Sequence, residues 1–175
     1  TVLDTDETAH TALNLVNEAV LNEFSREAEQ RGLSLARPDG TIDRRVLGAI
    51  VFSDPALLRR HEKIIYPVID TLIFRFLDEH RDTRVVINAP MLHKSAVLER
   101  CSLVIFVSAP AIIRFFRAIR RDSLPIRQIL HRFFAQKRLF AQYITKNADI
   151  VRVNNRGSKR AFERKLANLL SRRGY

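Results

Sequence analysis

The pattern of apolar residues changes at Arg84, and that change limits the folds open to this chain. From Glu7 to about His80, apolar residues recur at spacings of three and four. Leu13, Val16, Val20 and Phe24 form one such series, and Ile69, Leu72, Ile73 and Phe76 form another. This spacing lays an apolar stripe along one side of a helix. From Arg84 onward, short runs rich in β-branched residues take over: Arg84-Val-Val-Ile-Asn88, Ser102-Leu-Val-Ile-Phe-Val107 and Ala148-Asp-Ile-Val-Arg-Val153. Runs of this length between polar turns are typical of strands buried on both faces. Val2 and Leu3 read as the end of an earlier strand of the same kind. Short buried strands separated by helices imply an α/β fold with a parallel sheet flanked by helices. Residues 7–80 then form a helical insertion between the first and second strands.

Local signals divide the helical stretches. Gly32 is expected to stop the first helix, and Pro38-Asp-Gly40 reads as a turn. Thr41-Ile-Asp43 opens the next helix, and Phe52-Ser-Asp-Pro55 ends it. Proline is favoured in a first helical turn, so another helix starts near Asp54. A kink or break is expected at Tyr66-Pro67, followed by a helix from Val68 to about His80. Ala89-Pro90-Met-Leu92 reads as a loop. Pro110 opens a helix over 111–121, Asp122-Ser-Leu-Pro125 breaks it, and 126–146 is helical again. Asn154-Asn-Arg-Gly157 is a loop. Ser158 caps a last helix that turns Phe162, Leu166, Leu169 and Leu170 inward.

Composition removes several function classes. No run of about 18 apolar residues exists, so no transmembrane helix, and no partner within a membrane, is expected. The start shows neither the basic nor the apolar region of a secretory signal. Cys101, the single cysteine, allows no intramolecular disulfide and no cysteine metal site, which fits a reducing cytoplasm. The histidines at 10, 61, 80, 93 and 131 show no metal-ligand spacing, so no protein metal site is expected. Charge is unevenly placed. Residues 1–100 hold 13 Lys/Arg against 16 Asp/Glu, whereas residues 101–175 hold 17 against 3. A half of net +14 points to an anionic partner such as a nucleotide, a nucleic acid or an acidic lipid, or else to a solvated basic surface.

The first ten residues bring two carboxylates, Asp4 and Asp6, to the end of the Val2-Leu3 run. Open α/β sheets bind ligands at that carboxyl edge. An aspartate before a helix is also a common N-cap, and the stretch alone leaves both readings open.

Five pieces stand in one order: Leu3-Asp-Thr-Asp6 with Ala9-His10; Asp39-Gly-Thr-Ile-Asp-Arg-Arg-Val-Leu47 with Val51-Phe52 and Asp54-Pro55; Ile65-Tyr-Pro67; Ala89-Pro-Met-Leu92; and Arg117-Ala-Ile-Arg-Arg-Asp122 leading to Ala148-Asp-Ile-Val151 and Asn154. The series resembles the dephospho-CoA kinase family over almost the whole chain, and Asp39 to Pro67 is its most specific part. The resemblance implies a P-loop kinase fold. It divides the chain into an α/β core (1–6, 81–110 and 147–175), a helical substrate domain (7–80) and a lid (111–146). The implied activity is transfer of the γ-phosphoryl group of ATP, with Mg²⁺, to the 3′-hydroxyl of dephospho-CoA in the cytoplasm. Asp6 matches the family's base on that hydroxyl. Asp4, His10, Pro90 and Leu92 match substrate-side positions. Arg117 and Arg121 match lid residues that close over phosphates, with a solvated helix face as the alternative. Asn154 and Gly157 match the segment near the adenine.

The sequence departs from the family pattern at several places. The family opens with a strand and a GxxGxGKS/T loop, which supplies a backbone nest and a lysine for the phosphates. None of the five glycines of this chain (32, 40, 48, 157, 174) lies in such a cradle, so the chain is expected to be part of a longer protein carrying it upstream. Tyr66 replaces the usual histidine before proline. His93-Lys94 replaces a Phe-Glu pair, and Cys101 replaces an aspartate. The spacing from Gln136 to Ala148 is about two residues longer than the family pattern. Two other readings stay open: a basic, non-catalytic nucleic-acid-binding module, and a remnant that binds CoA-like ligands without a P-loop. No nucleic-acid-binding motif is present, and Phe115, Phe116, Phe133, Phe134 and Phe140 lie at helical spacings, which argues against a nucleic-acid partner.

Overall fold

The computed structural model describes residues 1–121, 139–144 and 149–175. They divide into two units, Thr1–Val97 and Leu98–Tyr175.

The first unit begins with strand β1 (Val2–Asp4), which runs into helices α1 (Thr5–Leu15), α2 (Asn17–Glu29), α3 (Arg44–Val51) and α4 (Pro55–Glu79) before strand β2 (Val86–Asn88). β1 and β2 pair in parallel with Val2 opposite Val86, Leu3 opposite Ile87 and Asp4 opposite Asn88. Two aspartates start helices as the capping chemistry predicts. Asp43 accepts from the N–H groups of Arg45 and Val46 (2.9 and 3.2 Å), and Asp54 accepts from Ala56 (2.7 Å) ahead of Pro55. Gly32 and Gly40 take φ values of +68° and +79°, which favour glycine. Gly32 ends the turn after α2, and Gly40 closes a hairpin bend whose Ala36 and Ile42 bridge in antiparallel fashion.

The expected long first helix is two helices. The chain turns at Val16 (φ −102°, ψ 19°), so that α1 packs on α4 while α2 packs on both α3 and α4. Phe24, Val20, Ile50 and Ile73 fill the space between these helices and are essentially inaccessible. The break expected at Pro67 does not occur, because α4 runs unbroken from Pro55 to Glu79. Ile65, Ile69 and Ile73 form a continuous buried stripe on one side. Pro67 lies on the opposite, exposed side, and its ring nitrogen cannot donate the helix hydrogen bond of its position. Packing along the stripe offsets the cost of proline in a helix interior, about 3 kcal/mol.

The second unit contains β3 (Val104–Ser108), α5 (Ala111–Arg121), α6 (Leu139–Ile144), β4 (Ile150–Asn154) and α7 (Lys159–Arg172). β3 and β4 pair in parallel from Val104 opposite Ile150 to Ser108 opposite Asn154. Ser158 caps α7 by accepting from the Ala161 N–H (3.3 Å). Phe162, Leu166, Leu169 and Leu170 share the inner face of α7, but only as half-buried residues. The Phe106 ring lies against Phe140 and Tyr143 of α6, with centroids 4.8 and 5.4 Å apart. The breaker at 122–125 and the helix expected over 126–138 lie outside the described residues. Among the described residues, no helix is long and apolar enough to cross a membrane.

Candidate active site

Both strand pairs end in polar residues at their carboxyl edges. At the first, Asp4 is the last residue of β1 and the N-cap of α1. Its Oδ1 accepts from the Asp6 N–H (2.9 Å), and its Oδ2 accepts from Nδ2 of Asn88 across the strand pair (3.0 Å). Thr5 donates its hydroxyl to the Asn88 carbonyl (3.0 Å), and Thr8 donates to the Asp4 carbonyl (3.0 Å). The Asp6 N–H first, and the Asn88 amide second, hold the Asp4 carboxyl below the ordinary carboxylate range. Asp4 therefore stays ionised and fixes the first turn of α1.

Asp6 sits in that turn with its side chain exposed. Among the described residues its carboxylate has no hydrogen-bond or ion-pair partner. Of the two readings left open by the sequence, capping is the one that Asp4 takes; among the described residues, the Asp6 carboxylate caps nothing. His10 lies one helical turn beyond Asp6, on the same side of α1, and is exposed.

The loop after β2 carries Pro90 and Leu92. Pro90 is exposed, whereas Leu92 is 7% exposed and supports the loop from beneath. Two short 3-10 turns follow, at Leu92–Lys94 and Ala96–Arg100. Helix α4 holds them in place. Asp70 accepts from the Ser95 hydroxyl (2.5 Å) and the Ala96 N–H (3.1 Å), and Lys94 pairs with Glu62. Lys94 therefore has a carboxylate partner on α4.

At the second edge, Ser108 ends β3 and Asn154 ends β4. The Asn155 N–H donates to the Ser108 carbonyl (2.6 Å), and Arg152 donates through Nε to the Ser108 hydroxyl (3.0 Å). Arg117 of α5 donates to the carbonyls of Asn155 (3.2 Å) and Gly157 (3.5 Å). The structure thus brings Arg117, Asn154 and Gly157 together around one loop. Arg121 closes α5, and its side chain lies outside the described residues. Sequence reasoning did not single out Asn88, Ser108, Arg152 or Asn155. Their roles depend on strand register, which a local motif does not encode.

Among the described residues, no three His, Cys, Asp or Glu side chains converge as metal ligands.

The family model for dephospho-CoA kinase matches residues 1–160. A dephospho-CoA kinase of Treponema denticola is 36% identical over 177 aligned residues, covering 99% of this chain and 79% of that protein. One from Treponema pallidum is 36% identical, covering 98% of this chain and 83% of that protein. Among solved structures, TT1252 from Thermus thermophilus superposes with a TM-score of 0.75 at 27% identity, covering 98% of this chain and 83% of that one. Dephospho-CoA kinase from Campylobacter jejuni shares the fold, with a TM-score of 0.66 at 21% identity and the same coverage. The match across residues 1–160, together with relatives at 36% identity over nearly the full chain, establishes that this chain belongs to the dephospho-CoA kinase family.

Proposed function

We propose that the protein transfers the γ-phosphoryl group of ATP, supplied as its Mg²⁺ complex, to the 3′-hydroxyl of dephospho-CoA, giving coenzyme A and ADP. Family membership supports the reaction. The observation that carries the assignment to residues is the state of Asp6. It is an exposed carboxylate, without a partner among the described residues, at a parallel-sheet carboxyl edge beside an aspartate already committed to capping.

In this reading Asp6 orients the 3′-hydroxyl and accepts its proton as the new O–P bond forms. The bond from the γ-phosphorus to the bridging oxygen breaks, and ADP carries away that electron pair. His10 and Pro90 flank the substrate, Asp4 holds the turn, and Leu92 maintains the loop. Arg117 and Arg121 serve the phosphates, where guanidinium groups make charge-assisted bonds to the transferring oxygens. Asn154 and Gly157 lie towards the adenine. The division into core (1–6, 81–110, 147–175), substrate domain (7–80) and lid (111–146) belongs to the same reading. A cytoplasmic location also goes with it and rests on the family likeness.

Replacing Asp6 with asparagine tests the assignment. Turnover is expected to fall by about 10²–10⁴, with ATP affinity unchanged in equilibrium titration. Undiminished turnover would remove Asp6 from the mechanism.

A further inference from the structure

We propose that Asn88 is a positioning residue for Asp6, acting through Asp4. The proposal rests on the reading of Asp6 as the proton acceptor. It starts from the register of the strands, because Asn88 and Asp4 are cross-strand partners at the last step of the β1–β2 ladder.

Asn88 holds the start of α1 at two points. Its side-chain amide donates to Asp4 (3.0 Å), and its carbonyl accepts from Thr5 (3.0 Å). Asp4 uses its other oxygen on the Asp6 N–H (2.9 Å). An ionised carboxylate accepts and cannot donate, so the amide nitrogen of Asn88 must be the atom facing Asp4. The chain of contacts therefore runs from β2 to the Asp4 carboxylate, and from Asp4 to the Asp6 backbone. A group that must meet a hydroxyl within hydrogen-bond reach depends on such support, since a displacement of about 1 Å can cost about 10²-fold in rate. Asn88 does not touch Asp6, so its effect must pass through the cap.

Three variants of the intact protein test this. Asn88→Leu removes the donor at similar size, and kcat should fall about 10-fold while both KM values stay within about 3-fold. Asn88→Asp keeps the shape but sets a second carboxylate against Asp4. Among the described residues, Asp4 is the ionisable group in contact with Asn88; Asp6 and Glu7 share the first turn of α1, and His10 lies one turn further on. Two facing carboxylates share a proton at a raised pKa. The kcat of Asn88→Asp relative to wild type should therefore rise as the pH is lowered from about 8 to about 6, as the shared proton restores the hydrogen bond. Finally, Asp4→Ala combined with Asn88→Leu should lose no more than the larger single loss, because both break one chain of contacts.

Three results would overturn the proposal. A raised KM for dephospho-CoA at unchanged kcat would make Asn88 a substrate contact. A lowered melting temperature with wild-type kcat would make it structural only. Multiplicative losses in the double variant would separate it from Asp4. If Asp6→Asn abolishes turnover while the Asn88 variants keep wild-type kcat, only the positioning role fails. If Asp6→Asn retains turnover, the underlying reading of the site fails first.

Discussion

The two units use opposite charges in their local bonds. In the first, carboxylates satisfy backbone N–H groups: Asp4 at the carboxyl edge, and Asp43 and Asp54 elsewhere, each start a helix. In the second, guanidinium groups hold the edge: Arg117 reaches the carbonyls of Asn155 and Gly157, and Arg152 reaches the Ser108 hydroxyl. The helix of that unit with an identified side-chain cap uses a neutral serine, Ser158. The same contrast appears in composition, with a net charge of −3 over residues 1–100 and +14 over 101–175. Part of the imbalance is thus used structurally: Asp4, Asp43 and Asp54 in one unit, and Arg117 and Arg152 in the other, make the bonds that shape it. On the function proposed above, the first edge accepts a proton and the second faces an anion.

The largest expected effect tests whether the two regions are separable. Phe24 is fully buried among α2, α3 and α4, so Phe24→Ala should cost about 3–5 kcal/mol. Amide hydrogen exchange should speed up across the first unit and stay slow in β3 and β4. Equal loss in both would break the comparison, because it would mean that a single cooperative block carries both edges.

A smaller effect should separate charge from geometry at the second edge. Lysine keeps the charge at position 117 but cannot span two carbonyls with a planar fork. Arg117→Lys should raise the KM for ATP about 10-fold while leaving the KM for dephospho-CoA unchanged. An unaltered KM for ATP would reduce Arg117 to a structural tie.

The smallest effect is that of pH on the caps. Hydrogen bonds to backbone N–H groups and to Thr41 hold the carboxyls of Asp4, Asp39 and Asp43 below the ordinary range. A lowered folded-state pKa means stability that is present above the unfolded value and lost as pH falls through the folded one. Acidification below about pH 4 should therefore release the amides of Arg45 and Val46 while sparing that of Ala161, whose cap does not titrate. Equal protection of both sets in acid would show that the caps do not distinguish the units.

Much of this fold was legible because its signals are local. Asp43, Asp54 with Pro55, and Ser158 mark helix starts within three residues of the groups they bond. The β-branched runs located β2, β3 and β4, although each strand begins two residues later than its run, at Val86, Val104 and Ile150. The two misses inside the helical unit have one cause. The turn at Val16 lets α1 and α2 both pack on α4, and α4 stays continuous through Pro67 because its own apolar stripe is buried by those helices; sequence spacing alone does not carry that information. At the site, a family motif could point to Asp6. Its anchor could not be read the same way, since Asn88 reaches Asp4 across 84 residues of sequence.

That separation also bears on the order in which the protein is made whole. The four helices between β1 and β2 can pack through contacts closer in sequence, whereas the Asp4–Asn88 bond requires a loop spanning the entire helical unit to close. Pairings this distant form late because their entropy cost comes before their reward. A chain with its helices assembled but β1 undocked would hold Asp6 on an unanchored turn. On the reading of Asp6 as the proton acceptor, chemical competence would wait for this long-range pairing, with the helices between β1 and β2 in place before that carboxylate.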